Sequence, residues 1–472
     1  MRLLWWAAPA DVARLVPDLH EVWLSLLPRM PQGSSGGALL PGGEQMTAPT
    51  LVSLFSGAGG LDLGLEMAGF DTVSVTDMDA DCIKTLQASQ EARIPIPGWD
   101  GRTFFERANI LRARVEELRP EDLRRSGDRR RVPDLMAGGP PCQPFSSSGK
   151  LLSVVDPRGR LFEDFVRLAE GLRPRVILFE NVRGLVTAPG PTGVPGEALS
   201  LVKGSFEDIG YATRFALLNA ADFGAPQRRV RMFMLASRSC GLPGFPESTH
   251  SDGPVSSLFG SLASWVTLGE FLATQPPPEP AEVVQPSAEL ARSLASVREG
   301  SGLKSPGARE ATRPGGHWGY KQGTFVADLS RPARTVTAAT TQDWIREHHG
   351  RLRRLTWREC AGLQGFPDGW RFSGNLASKY RQIGNAVPSV FGLVLGRAVL
   401  AALSTSGRSR PTSAPLPPSF REAIAYTQRE RSRNGESRRR AAELLAAGAD
   451  LRTVKGLGSA EPPSRDPRTE AP

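Results

Sequence analysis

Apolar positions change their spacing along this chain, and the changes predict alternating strands and helices. Leu51–Phe55 (LVSLF) is a short unbroken apolar run that gives way to glycines, the pattern of a buried strand entering a tight turn. Leu61, Leu63, Leu65 and Ala68 then suit a short helix ended by Gly69. A second strand at Thr72–Val75 closes on the acidic Asp77 and Asp79, and a helix carrying Ile83 and Leu86 follows. Further on come a strand at Leu135–Ala137, a helix at Leu161–Leu172 and a strand at Val176–Phe179. A helix at Ala198–Ile209 and an apolar run at Val230–Ala236 complete the block. Strands that alternate with helices predict an α/β fold, a doubly wound and mostly parallel sheet covered on both faces.

Around Gly241 the periodicity fades. Residues 241–330 hold QPPPEP, KSPG and RPGGHWGY, which read as an irregular insertion or a small loop-rich domain. Regular patterning returns at Leu355–Leu363 and at Val387–Leu403. Residues 1–45 look detachable: the run after Arg2 stops at Pro9 and Asp11, too early for a good signal peptide, and a Gly/Ser/Pro-rich stretch leads to Met46. An extension or a start-site artefact is expected there. Beyond Ser404 the chain is rich in Ser, Pro and Arg, with thirteen basic residues against eight acidic ones. A mostly disordered, positively charged tail is expected over 406–472, with room for a helix around Arg438–Ala447.

The chain has 472 residues, enough for two or three domains, and 40% of them are hydrophobic. No run approaches the roughly 18 to 20 consecutive apolar residues of a membrane-spanning helix, so an integral membrane protein is not expected. A net charge of +9 favours a polyanionic partner. Only seven of the 58 basic residues are lysines, a bias that a GC-rich coding sequence explains as well as phosphate binding does. Cys82, Cys142, Cys240 and Cys360 lie far apart without a CxxC pair, which is neither a disulfide framework nor a zinc site. That usage fits a reducing cytoplasm and leaves each cysteine open as a lone nucleophile.

Five segments carry candidate chemistry. FSGAGGLDLG (Phe55–Gly64) ends a strand in glycines that let backbone approach a ligand, next to a helix N-terminus with free N–H groups. It is not GxGxxG, so a dinucleotide is not specifically indicated. Asp77, about 20 residues on, closes the next strand where a carboxylate takes ribose hydroxyls in doubly wound sheets, although alone it would read as a helix cap. AGGPPCQPFSSSGK (Ala137–Lys150) sets Cys142 among Pro, Gly and Ser just past a buried strand, a setting too polar for an inert core thiol. VILFENV (Val176–Val182) ends a strand on Glu180-Asn181 over the same crevice. Strand alternation sends Gln227, Arg229 and Arg231 to one face, where two arginines on an otherwise apolar strand want an anion or a polarised oxygen. Arg381–Pro388 (RQIGNAVP) reads only as a polar turn opening a helix.

In this order, and together with DPRGRLFEDFVR (Asp156–Arg167), RPARTVTA (Arg331–Ala338) and RLTWRECAGLQGFPDGW (Arg354–Trp370), these segments resemble the bacterial-type DNA (cytosine-5-)-methyltransferases over about Val52–Leu403. The resemblance implies a Rossmann-like, S-adenosylmethionine-dependent methyltransferase fold. A catalytic and cofactor domain would span 46–272 and 380–405, with a target-recognition domain and hinge at 273–379. Cys142 would be the nucleophile, Glu180 the group on cytosine N3, Arg231 the contact to O2 and Arg229 its companion. S-adenosyl-L-methionine would lie along Phe55, Ser56, Gly57, Ala58, Gly59 and Gly60, with Asp77, Met78, Asn109, Ile110, Pro141, Leu161, Asn385 and Ala386 around it. Gln143, Ser146, Lys150, Arg158, Gln227 and Arg334 would meet DNA.

Two positions depart from the family pattern. Asn109 stands where an aspartate is usual, although its amide oxygen can still accept from an adenine amine. Met78 replaces a commoner larger side chain. His317, Trp318, Tyr320, Lys321 and Gln322 are candidate base readers, although each alone is more often structural. The implied partners are double-stranded DNA and a cognate restriction endonuclease acting separately, with the enzyme itself a monomer, and no metal or membrane. A tRNA cytosine methyltransferase would usually carry a CFT tripeptide, which is absent from the sequence. A silent DNA-binding relative is disfavoured by intact Cys142, Glu180 and Arg231, and a nicotinamide dehydrogenase leaves Cys142 unexplained.

Overall fold

A computed structural model describes residues 48–125, 132–141, 160–257, 260–304, 312–313, 317–318, 324–347, 349–405 and 411–446. Its centre is a seven-stranded sheet built from β1 (Thr50–Leu54), β2 (Asp71–Asp77), β3 (Asn109–Arg112), β4 (Leu135–Gly138), β5 (Val176–Val182), β6 (Ala212–Asn219) and β7 (Val230–Ser237). The order is β3-β2-β1-β4-β5-β7-β6, with β7 antiparallel to both neighbours and every other pair parallel. The predicted doubly wound sheet is therefore present. β1 is buried throughout and β4 too, as strands covered on both faces must be.

Helices α1 (Gly60–Ala68), α2 (Ala80–Glu91), α3 (Arg160–Leu172) and α4 (Glu197–Asp208) cover the sheet. α1 begins after Gly59 in a left-handed conformation and stops at Gly69, whose φ of 121° only glycine adopts without strain. The Asp79 carboxylate caps α2 by accepting from Asp81 and Cys82 N–H. The sequence pattern missed β3 and β6. β3 has only four residues with no buried one among them, and β6 is an edge strand of mixed burial, so neither carries a strong apolar signature.

The described residues of 241–330, the stretch expected to be irregular, and those on to 356 form only short elements. They hold α5 (Leu268–Thr274), α6 (Ala288–Ala295) and a four-stranded sheet of very short strands at Ser301–Gly302, Phe325–Val326, Trp344–Arg346 and Leu352–Arg354. Its core is small: Leu294, Val297, Val326, Trp344 and Leu352. So few buried positions leave little periodicity to read. α7 (Trp357–Leu363) and α8 (Leu376–Asn385) then return, and Leu355, Phe366, Trp370 and Tyr380 share one buried cluster with Ala58, Leu63, Val75 and Leu86 from the first strands and helices.

Two expectations are revised. RQIGNAVP is the end of α8, a break at Ala386–Pro388 and the start of α9 (Ser389–Ser404), not a turn before a single helix. Pro388, which lacks an N–H, sits at the N-cap of α9 and forces the break. Leu376–Ser404 is long and apolar enough by composition to cross a bilayer, yet 67% of that window is buried in the fold, as in a core helix. The other revision concerns the tail. Pro418–Ala446 forms a helix, α10, because Phe420 is fully buried in the main core and Ile424 packs beside it. Residues 1–47 and 447–472 lie outside the described residues.

Candidate active site

The carboxyl ends of β1, β2, β4 and β5 and the adjoining start of β7 converge on one crevice. After β1 the chain turns at Phe55, which has a φ of 56°, then at Gly57 and Gly59, also at positive φ. A left-handed phenylalanine costs about 1 to 2 kcal/mol, and such strain tends to collect where backbone must be presented to a ligand. Gly57 N–H donates to Asp77 Oδ2 and Asp79 N–H to Asp77 Oδ1, each at 2.8 Å. Each oxygen keeps a further lone pair, so Asp77 can accept from vicinal hydroxyls without losing its own support. Burial holds its carboxyl above the ordinary range. Met78 beside it is 58% exposed, an apolar surface open to a flat ring.

A glycine-width gap separates this turn from α8 and α9. A Cβ at Gly60 would come within 2.4 Å of Val387 O and 3.1 Å of Ala386 Cβ. Asn385, exposed, ends α8, and Ala386 after it packs against the glycine turn. Trp370 Nε1 donates to Ala58 O at 3.2 Å, and its ring packs on Phe104, Phe105 and Phe366. The turn is thus backed by aromatic packing. Asn109 opens β3 opposite Ser74, and Ile110 faces Val75, whereas Asp77 is level with Arg112. The structure therefore sets Asn109 and Ile110 back from the Asp77 level, with Asn109 exposed. Arg112, whose Nε is 3.5 Å from Met78 O, stands nearer.

The second half of the crevice is an ion pair. Arg231 Nε lies 3.1 Å from Glu180 Oε1, and both side chains are largely buried. Burial raises the Glu180 carboxyl above its usual range, and the charges of Arg231 and then Arg229 pull it partly back. Such a carboxyl is poised to hold a proton. Gly139 passes beside it: a Cβ there would stand 2.5 Å from Glu180 Oε2. Asn181 Nδ2 donates to Pro140 O at 3.2 Å, pinning the segment that leads through Pro141 toward Cys142. Asn181, which the sequence marks only as the neighbour of Glu180 at the end of β5, is a positioning residue. Cys142, Gln143, Ser146, Lys150 and Arg158 lie outside the described residues, as do Tyr320, Lys321 and Gln322. His317 and Trp318 form a two-residue strand. Leu161, half-buried, opens α3.

Three predicted residues have their contacts inside the protein. Arg229 is buried and donates to Val336 O at 2.9 Å and Gly384 O at 2.8 Å. Gln227 is fully buried, donating to Leu363 O and Gln364 Oε1 and accepting from Val336 N–H. Both precede β7 rather than alternate along it, and they tie it to the RPARTVTA segment and α7. Arg334 forks onto Asp343 and stacks 3.7 Å over the Phe325 ring. Asp62, also unflagged by the sequence, is fully buried on α1, with the Ser53 hydroxyl beside its carboxyl.

Comparison with known proteins gives these features a setting. The profile of the family described as C-5 cytosine-specific DNA methylase matches residues 50–399. The Type II methyltransferase M.Eco47II of Escherichia coli is 32% identical over 381 residues, covering 75% of this chain and 79% of its own. The Type II methyltransferase M1.HphI of Haemophilus parahaemolyticus is 30% identical, covering 74% of this chain and 86% of its own. Among solved structures, a Spodoptera frugiperda DNMT2 mutant aligns with a TM-score of 0.52 at 16% identity, over 75% of this chain and 100% of that one. That last likeness is one of fold.

Proposed function

The chain belongs to the C-5 cytosine-specific DNA methylases, and we propose that the crevice between the glycine turn and the Glu180–Arg231 pair is where its reaction takes place. The enzyme transfers a methyl group from S-adenosyl-L-methionine to carbon 5 of cytosine in DNA. Phe55–Gly60, Asp77, Met78, Asn385 and Ala386 are proposed to hold the methyl donor. The open space above Gly57 and the spare lone pairs of Asp77 support that fit. When bound, the donor supplies an electrophilic methyl group.

Carbon 5 of cytosine is a poor nucleophile and is hidden inside a duplex, so the base must leave the stack, at a cost of a few kcal/mol. In our reading the Cys142 thiolate adds to carbon 6, forming an S–C bond and pushing an electron pair toward carbon 5. Glu180, whose hold on a proton is strengthened by burial and weakened by the charge of Arg231, donates to N3 and withdraws that density ahead of the attack. Arg231 holds O2 and keeps the Glu180 carboxyl oriented. Carbon 5 would take the methyl group as its bond to the donor sulfur breaks, leaving S-adenosylhomocysteine; the carbon 5 proton leaves to a base, the electron pair released expels the thiolate, and N3 returns its proton to Glu180. Asn181 and Gly139 set the path of the Cys142 segment past Glu180. Arg229 and Gln227 are assigned to holding β7 against the hinge.

The observation that carries this reading is one buried carboxyl, paired to one arginine, at the point where a glycine-only backbone passes. The type II methyltransferase names of the relatives support a modification role, which we propose the chain fills as a monomer beside a separately acting endonuclease. Bisulfite sequencing of DNA from cells expressing the chain, beside a Cys142→Ser control, tests the assignment. Protected cytosines in a fixed context with the wild type alone are expected, and their absence in every context refutes it.

A further inference from the structure

Asp62 is a buried charge that no step above uses. It stands in the first turn of α1, directly after the glycine pair Gly59 and Gly60. An acidic residue there ordinarily faces water, where it favours the positive end of the helix. Asp62 instead is fully buried and faces Ser53 of β1, whose hydroxyl lies beside its carboxyl. No basic side chain among the described residues is hydrogen-bonded to it. The charges that reach it are of its own sign: Asp77 at the end of β2, and Glu66 one turn further along α1. A buried carboxylate without a cation beside it costs stability. Its counter-charge is therefore to be sought in a ligand.

The charge has a route to the crevice. Ser56 Oγ donates to Ser53 Oγ at 3.0 Å, which leaves the Ser53 proton for the Asp62 carboxyl. Ser53 is buried, whereas Ser56 lies in the glycine turn and is partly exposed. With its proton turned inward, the Ser56 oxygen keeps lone pairs for whatever occupies the turn. The two hydroxyls polarise in one direction, and the end nearest a ligand is an acceptor backed by a carboxylate. Asp77 adds a second negative group to the same turn through Gly57 N–H. Such a turn attracts a cation. The methyl donor is one: its carboxylate, ammonium and sulfonium leave a net positive charge, whereas S-adenosylhomocysteine has none.

We infer that Asp62, acting through Ser53 and Ser56, is a specificity-determining residue that biases the donor site toward the positively charged methyl donor and against its neutral product. This rests on the reading that the glycine turn holds S-adenosylmethionine. Three hydrogen-bond lengths, from Asp62 to Ser53, to Ser56 and on to a ligand, span about 9 Å. At an effective permittivity of about 20 to 40, a unit charge at that distance alters affinity about 5- to 20-fold.

The test measures binding of three ligands to the full chain by calorimetry: S-adenosylmethionine, S-adenosylhomocysteine, and sinefungin, whose ammonium replaces the sulfonium. Work at about pH 8 keeps Asp62 ionised, since its carboxyl is pushed up only to about 6. Asp62→Asn should weaken both cationic ligands about 5-fold or more relative to S-adenosylhomocysteine. Ser53→Ala keeps the carboxyl but removes the hydroxyl that supports its charge, and should shift the same ratios in the same direction by less. A residue that only shapes the turn would alter all three affinities alike. Ratios unchanged within about 2-fold in Asp62→Asn therefore overturn the inference. Should that variant not fold, unchanged ratios in Ser53→Ala overturn it, and a shift confined to Asp62→Asn overturns the route through the hydroxyls. Failure of the wild type to bind any of the three would instead refute the reading of the glycine turn as the donor site.

Discussion

Arg231→Met is the substitution that most directly probes the electrostatics of the crevice. Methionine keeps much of the aliphatic stem but removes the guanidinium 3.1 Å from Glu180 Oε1, where both side chains are largely buried. Breaking such a pair from one side leaves an uncompensated buried charge and costs about 3 to 5 kcal/mol when the survivor stays ionised. Glu180 can escape by taking a proton. Its folded pKa already lies above the ordinary carboxylate value because of burial, with Arg231 the first opposing charge. The folded state therefore binds this proton more tightly than the unfolded chain. The stability linked to it is full below the unfolded value and is lost as pH rises through the folded one. Removing Arg231 pushes the folded value higher and widens that window. Urea unfolding should thus show Arg231→Met more destabilised at about pH 8 than at about pH 5.5. The double variant Glu180→Gln/Arg231→Met should recover about 2 kcal/mol of the loss at the higher pH. Equal destabilisation at both pH values, or an additive cycle, would refute the direct pairing.

Two further outcomes follow from burial and from glycine. Gly139→Ala puts a Cβ 2.5 Å from Glu180 Oε2, so methyl transfer should fall at least ~100-fold while binding of S-adenosylmethionine, followed by calorimetry, changes less than ~3-fold. A normal rate would mean that the segment before Cys142 does not need its close path past Glu180. Asp62, fully buried, has its carboxyl pushed up to about 6 by burial, which the Ser53 hydroxyl only partly offsets. Stability should therefore decline as pH rises through about 4 to 6, and Asp62→Asn should flatten that decline by on the order of 2 kcal/mol in thermal unfolding. An unchanged pH slope would show that Asp62 is not the group responsible.

What the sequence disclosed depended on how strongly each segment is buried. β1, β4, β5 and β7 are nearly continuous apolar runs with turn residues at their ends, so strand, turn and following helix could be read directly. β3 and β6 carry few buried residues and were invisible. Glu180 and Asp77 were legible because a carboxylate closing a parallel strand has a restricted set of uses. Arg229 and Gln227 were legible as unusual but not in their contacts, since their partners are carbonyls more than 100 residues away. The tail misled for a related reason. Its fully buried residue, Phe420, has only Leu416 and Ile424 packed on the same core in a Ser/Pro/Arg-rich background, too few apolar positions to leave a periodicity.

The same distance in sequence explains why the glycine turn and the strands around it depend on residues that follow the irregular segment. The acidic turn after β2 is held from α8: Ser378 Oγ donates to Asp81 Oδ2, and Arg381 Nη2 to Asp79 Oδ2 at 2.9 Å. The Thr85 hydroxyl donates to Gln382 Oε1 at 2.7 Å, and Trp370 supports Ala58 O. Gly60 meets Val387, and a Cβ at Gly64 would collide with Ser389 O at 1.9 Å, so α1 and α9 pack at a separation only glycine permits. None of these contacts is local, and together they join both faces of the glycine turn. The irregular segment is therefore inserted into a domain that closes only when α8 and α9 return. That arrangement fastens the irregular side to the sheet through Gln227 and Arg229, three residues and one residue before the β7 strand that presents Arg231.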